Sequence, residues 1–138
     1  MAKRKKKPIK VVYLSGPITN GMKHPKRRSM LKNVMKAVGV GISLIKKGYA
    51  PIIPHLDWMF GWHDKGKDID WQMFLDWDLA VIEKCDALYR IKGNSKGADI
   101  ECRFAKRRGI PVFYSKKSLY DYGREHAIHN RRSEDQKA

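Results

Sequence analysis

Four short apolar runs, each bounded by glycine or proline and separated from the next by a stretch with helical spacing, constrain this chain more than any other feature. Ile9 to Ser15 is β-rich and stops at Gly16-Pro17, the pattern of a short buried strand ending in a turn. Between Lys26 and Lys47, Met30, Leu31, Val34, Val38, Ile42 and Ile45 fall at helical intervals, and Gly48 supplies a C-terminal stop. Ala50 to Pro54 reads as a second, brief strand because it carries two prolines. Trp58 to Asp70 contains Gly61 and Gly66 without a sustained period, so a loop long enough to act as a lid is expected there. Trp71 to Lys84 reads as a helix, Asp86 to Ile91 as a third strand, Gly97 to Arg108 as a helix closed by Gly109, and Ile110 to Tyr114 as a fourth strand. A last helix is expected from Ser118 to about His129, ahead of a polar tail. Strands that alternate with helices pair in parallel and are covered on both faces, which predicts a three-layer α/β fold, Rossmann-like or flavodoxin-like. One domain over residues 9–130 is expected, between a basic tail at 1–8 and a polar tail at 131–138.

Charge narrows the partners. Thirty Lys and Arg face 14 Asp and Glu, a formal charge of +16. Lys3 to Lys10 holds six of the basic residues, so the excess belongs to the body as well as to the tail. Such a balance favours a phosphate-bearing ligand, or nucleic acid bound through the basic tail, although a merely solvated charged surface gives the same composition. Cys85 and Cys102 form no CxxC pair and have no histidine at a matching interval. Two reduced core thiols are therefore expected, and neither a disulfide framework nor a metal site. No uninterrupted apolar run has the length of a membrane span or signal peptide, so a cytoplasmic protein without membrane association is expected.

In open parallel sheets, ligands bind beyond the carboxyl ends of the strands, which directs attention to the loops after Ser15, Pro54 and Ile91. Gly16-Pro17-Ile18-Thr19-Asn20-Gly21 would let backbone N–H groups approach a phosphate, and would equally serve as a structural turn. It has neither the GxGxxG of dinucleotide folds nor the GxxxxGK[ST] of a P-loop, so no redox cofactor and no ATP hydrolysis is expected. Gly93 to Glu101 follows the third strand and opens a helix, offering the Ser95 hydroxyl and free helix N–H groups to an anion. Plain capping accounts for the same residues, with Ser95 as the cap and Asp99 and Glu101 near the positive end of the helix dipole. Asp76 and Asp78 straddle Trp77, so only one of them shares the face of Leu75, Leu79 and Ile82, and the two make no ready carboxylate pair.

Taken in order, Val12-Tyr13-Leu14-Ser15-Gly16-Pro17-Ile18, Asp78 with Asp86 eight positions on, and Ser95-x-Gly97-x-x-x-Glu101 resemble the nucleoside 2-deoxyribosyltransferase superfamily. That superfamily includes the nucleoside 5′-monophosphate N-glycosidases, and the resemblance runs from about Lys10 to Tyr114. It implies a glutamate nucleophile at Glu101 held by the Tyr13 hydroxyl, with Asp78 bonding to sugar or base. Cleavage of a C–N glycosidic bond develops positive charge at the anomeric carbon, and a fixed carboxylate beneath the ring stabilises that state before forming a glycosyl ester. Six residues before the nucleophile, the transferases carry an acid and the monophosphate hydrolases a serine. Here it is Ser95. A hydroxyl there accepts a 5′-phosphate that a carboxylate would repel, which points to a nucleoside 5′-monophosphate substrate.

The same resemblance implies a substrate site including Gly16, Pro17, Ile18, Thr19, Asn20, His55, Ser95 and Gly97, and a homodimer in which Ser118 reaches a neighbour's phosphate. His55 and Trp58 are candidates for the base pocket. Thr19 departs from the pattern, because the better-known hydrolases carry an arginine there, and Asn20, Lys23 or Arg27 would have to compensate. Two alternatives stand beside hydrolysis. One is base exchange by a deoxyribosyltransferase. The other keeps the fold without catalysis, as a protein that sequesters a nucleotide or binds nucleic acid.

Overall fold

The computed structural model describes residues 8–137 of the chain, with side chains to residue 126. In chain order it contains β1 (Val11–Ser15), α1 (Arg27–Lys46), β2 (Ala50–Ile52), two 3₁₀ segments (Pro54–Trp62 and Asp64–Gly66), α2 (Trp71–Ile82), β3 (Ala87–Arg90), α3 (Lys96–Arg107), β4 (Val112–Phe113) and α4 (Lys116–Lys137). The four strands form one sheet in the order β2-β1-β3-β4, with each neighbouring pair parallel. This is the expected α/β architecture.

Alternation along the strands sorts the core into two layers. Val12 and Leu14 of β1 and Tyr89 of β3 pack with Ala37 and Leu44 of α1 and Leu119 of α4. Tyr13 and Leu88 point the other way, toward Ile82 of α2 and Cys102 and Ala105 of α3. Both cysteines are buried thiols. At the amino end of β3, the Asp86 carboxylate accepts from the backbone N–H groups of Lys10 and Val11 at 2.9 and 2.8 Å, so this acid stitches strands together. The strand order reverses between β1 and β3, and a crevice opens at such a switch point, beyond the carboxyl ends of the two strands.

Local differences from the expectations have physical causes. The lid stretch is not featureless. Pro54 leads a run of 3₁₀ turns, whose i,i+3 contacts leave no 3.6-residue signature in sequence. Helix α4 begins at Lys116 because Ser115 caps it, its hydroxyl oxygen accepting from Ser118 N–H at 3.1 Å. It continues past His129 to Lys137, where neither glycine nor proline interrupts it after Gly123. The basic tail expected at 1–8 lies outside the described residues except for Pro8, and so do the side chains of the polar tail. No described helix is long and apolar enough to cross a membrane.

Helix α1 carries two apolar stripes. Val34, Ala37, Gly41 and Leu44 face the core. Leu31, Met35, Ile42 and Ile45 are 47–58% exposed, and with Val38 they repeat at steps of four and three.

Candidate active site

A cavity of about 450 Å³ lies at the switch point, roofed by the 3₁₀ segment and α2 and floored by β1 and α3. Glu101 projects into it from the second turn of α3 and is only 6% exposed. Its two oxygens are held separately. Tyr13 Oη donates to Oε2 at 2.7 Å and Ser15 Oγ donates to Oε1, also at 2.7 Å. Burial pushes the Glu101 carboxyl up, while the two hydroxyls and the positive charge of Arg90 pull against it. Burial and the neighbouring Glu101 and Asp78 charges hold the Tyr13 hydroxyl protonated well beyond its usual range. The arrangement is a carboxylate fixed in orientation by donors that do not ionise.

Asp78 enters from α2. Burial raises its carboxyl to about 7, and the charges of Glu101 and Asp57 add to the effect. The site thus brings together a buried and a half-buried carboxyl group, and the contact between them favours the proton on Asp78 over Glu101. Asp76 points away, accepting from Gln72 Nε2 at 2.8 Å on the exposed side of α2.

The amino end of α3 makes another wall. Ser95 caps the helix, its Oγ accepting from Ala98 N–H at 3.1 Å, and it also lines the cavity, so the capping residue faces the site. Lys96 and Gly97 line the same wall, and the Lys96 ammonium lies 5.8 Å from the centre of the Trp71 ring. A Cβ at Gly97 would meet nothing nearer than Trp71 Nε1 at 4.0 Å, so packing within the chain does not demand glycine there. Gly16 is different. A Cβ there would stand 2.8 Å from Ile91 Cβ.

The third wall follows β2 and carries His55, Asp57 and Trp58. His55 is 2% exposed, and neither ring nitrogen has a hydrogen-bond partner. Burial lowers it to about 4, so the ring is neutral at pH 7. The Gly16 backbone pulls back weakly without forming a well-aligned bond.

Of the residues expected at the site, the cavity brings together Tyr13, Gly16, Ile18, Thr19, His55 and Asp78, with Ser95, Gly97 and Glu101. Pro17, Asn20 and Ser118 do not line it. Pro17 instead packs on Gly93, where an added Cβ would come within 2.7 Å of Pro17 Cγ. Asn20 adopts a positive φ of 55° and is tied to Asn33 and Asn94, which makes it a turn residue. Ser118 sits in the first turn of α4, donating to Ser115 O at 2.9 Å. Arg27, one of the suggested substitutes for the arginine missing at Thr19, stacks on Trp62 at 4.8 Å.

Three contributors went unread in the sequence. Ser15 was legible, since residues i and i+2 of a strand share a face and whatever meets Tyr13 is within reach of Ser15. Arg90, 9% exposed, donates to the carbonyls of Ile91 and Gly93 and pairs with Asp99 at 3.1 Å. A cation at the last position of a buried strand was its only signal. Asp57 had none, because its approach depends on the 3₁₀ turns.

Compared with known families, residues 10–115 match the family described as Domain of unknown function (DUF7768), a span that runs from the residue before β1 to the cap of α4. No curated protein matches the chain.

Proposed function

The chain belongs to the DUF7768 family, and from the cavity that its domain builds we infer an N-glycosidase acting on (deoxy)nucleoside 5′-monophosphates. The observation that carries this reading is the Glu101 carboxylate, buried and gripped through both oxygens by Tyr13 and Ser15 on the floor of the cavity. The motif resemblance to the nucleoside 2-deoxyribosyltransferase superfamily supports the same assignment. Glu101 attacks the anomeric carbon as the C–N bond breaks, and protonated Asp78 gives its proton to the departing base. Water then attacks the anomeric carbon of the glycosyl ester and loses its proton to Asp78, releasing the sugar 5-phosphate and restoring both carboxyl groups. The 5′-phosphate rests on the N–H groups at the start of α3 and on the Ser95 hydroxyl, which keeps its own proton to donate.

Two tests separate this reading from its rivals. Incubation with a panel of ribo- and deoxyribonucleoside 5′-monophosphates is expected to release free base, and added second base distinguishes hydrolysis from transfer. Glu101→Gln is expected to lower kcat by at least about a thousandfold while nucleotide binding persists, because its contribution is to charge that develops in the transition state. Near-parental cleavage by that variant would remove Glu101 as nucleophile, and a protein that only sequesters nucleotides would be indifferent to the change.

The proposal extends to assembly. The outward stripe of α1 is a continuous apolar surface of the kind that marks an interface, and a second copy is its proposed partner.

A further inference from the structure

A charged side chain is rarely buried unless other groups hold it there. Arg90 ends β3, a strand buried along its whole length, at 9% exposure. Parallel register sets it beside Ser15 and sets Leu88 beside Tyr13. Residues two apart on a strand share a face, so Arg90 stands with Leu88 on the side that α2 and α3 cover, where Tyr13 and Ser15 grip Glu101. The guanidinium donates to the carbonyls of Ile91 and Gly93 and pairs with Asp99 at 3.1 Å, bridging the turn from β3 into α3. Asp99 is 58% exposed at its side chain against 10% for Arg90, so water screens the acid more than the cation and a positive charge persists inside the fold.

We propose that Arg90 is a positioning residue for Glu101 with two separable duties: its charge stands behind the carboxylate, and its fork of donors fixes the turn that sets the start of α3. This rests on the N-glycosidase reading above. A carboxyl group attacks carbon only as the anion, and burial opposes that form in Glu101. The groups that face Glu101 are Tyr13 and Ser15 from β1, Asp78 from α2 and Arg90 from β3. Cys102 is its neighbour on α3, and Asp57 acts on it only through Asp78. Arg90 is the one cation among them, so it alone supplies charge in favour of the anion. The second duty needs the fork. Arginine presents several donors in a rigid plane and serves two carbonyls and a carboxylate at once, whereas lysine shares only its charge.

The pH profile of kcat/KM, taken with a nucleoside 5′-monophosphate that the parental protein cleaves, separates these duties from a merely structural one. Its acid limb reports the ionisation of Glu101 and its alkaline limb the loss of the Asp78 proton. Removing a nearby positive charge makes a carboxyl group hold its proton to higher pH. Arg90→Gln is therefore expected to move the acid limb up by about half a pH unit or more. The alkaline limb is expected to stay, because Asp78 answers to Glu101 and Asp57 rather than to Arg90. Arg90→Lys is expected to hold both limbs within about a quarter of a unit while KM rises about threefold or more, as the turn ahead of the proposed phosphate wall loosens. Circular dichroism checks folding, and the lysine variant stands as the test if the glutamine variant does not fold. An unmoved acid limb in folded Arg90→Gln, both limbs moving together, or Arg90→Lys with an unaltered KM overturns the inference while the N-glycosidase reading stands. Release of base from none of the monophosphates overturns both.

Discussion

Asp78 owes its raised carboxyl to burial first and to the charges of Glu101 and Asp57 after it, so its proton has consequences for both rate and stability. An acid whose folded value, about 7, exceeds its unfolded value binds protons more tightly when folded. Its contribution to stability is therefore full at pH below about 4 and is lost as pH rises through about 7. Asp78→Asn is expected to remove that dependence and to stabilise the fold at pH 8 by on the order of 1–2 kcal/mol, after allowance for solvent screening. Chemical denaturation at pH 5 and pH 8 measures it, and an unchanged pH slope would count against the burial argument. The same variant should erase a fall in kcat on the alkaline side near pH 7, because no proton remains to be lost. At this scale the sequence was partly legible. The Tyr13 and Glu101 pairing was implied by the family resemblance, but Asp57 comes within reach of Asp78 only through the 3₁₀ turns, and Arg90 reaches Gly93 and Asp99 only through the turn that leads into α3, geometry that local pattern does not encode.

Helix α3 carries the proposed phosphate wall and the proposed nucleophile together, and its first turn can be altered without dismantling it. Gly97 sits at a helical position where an added Cβ meets nothing closer than 4.0 Å. Gly97→Ala is expected to raise stability by up to about 1 kcal/mol through the lower entropy of the unfolded chain, yet to raise KM at least about tenfold by crowding the phosphate. A higher melting temperature with unaltered KM would show that no ligand approaches that backbone. Ser95→Asp keeps a good helix cap but places negative charge at the same spot, so KM should rise with little change in melting temperature. Element types were readable from periodicity and from glycine and proline stops. The 3₁₀ run was not, because its turns are too short and irregular to show a period. The start of α4 also escaped, since Ser115 and Ser118 are equally good caps by composition and only the geometry chooses Ser115.

For the molecule as a whole, alternation of strands and helices foretold a parallel sheet, but which strand lies beside which depends on packing of α1 and α4 on one face and α2 and α3 on the other. The charge of +16 acts at longer range. It opposes the meeting of two copies across the α1 stripe, so the proposed dimer should strengthen as salt screens the repulsion. Light scattering at low and high ionic strength is expected to show the dimer fraction rising with salt, and Ile42→Lys should return the chain to monomer without unfolding it. A monomer at all salt concentrations and micromolar protein would reject the interface. The same field favours the approach of any anion, such as the proposed phosphorylated substrate, whereas the described lining of the cavity contains three acids and one cation. Gly97 and Glu101 stand one turn apart on a single rigid helix, about 6 Å along its axis. The helix is therefore a ruler. A ligand that touched both positions would be gauged against the fixed rise of the helix.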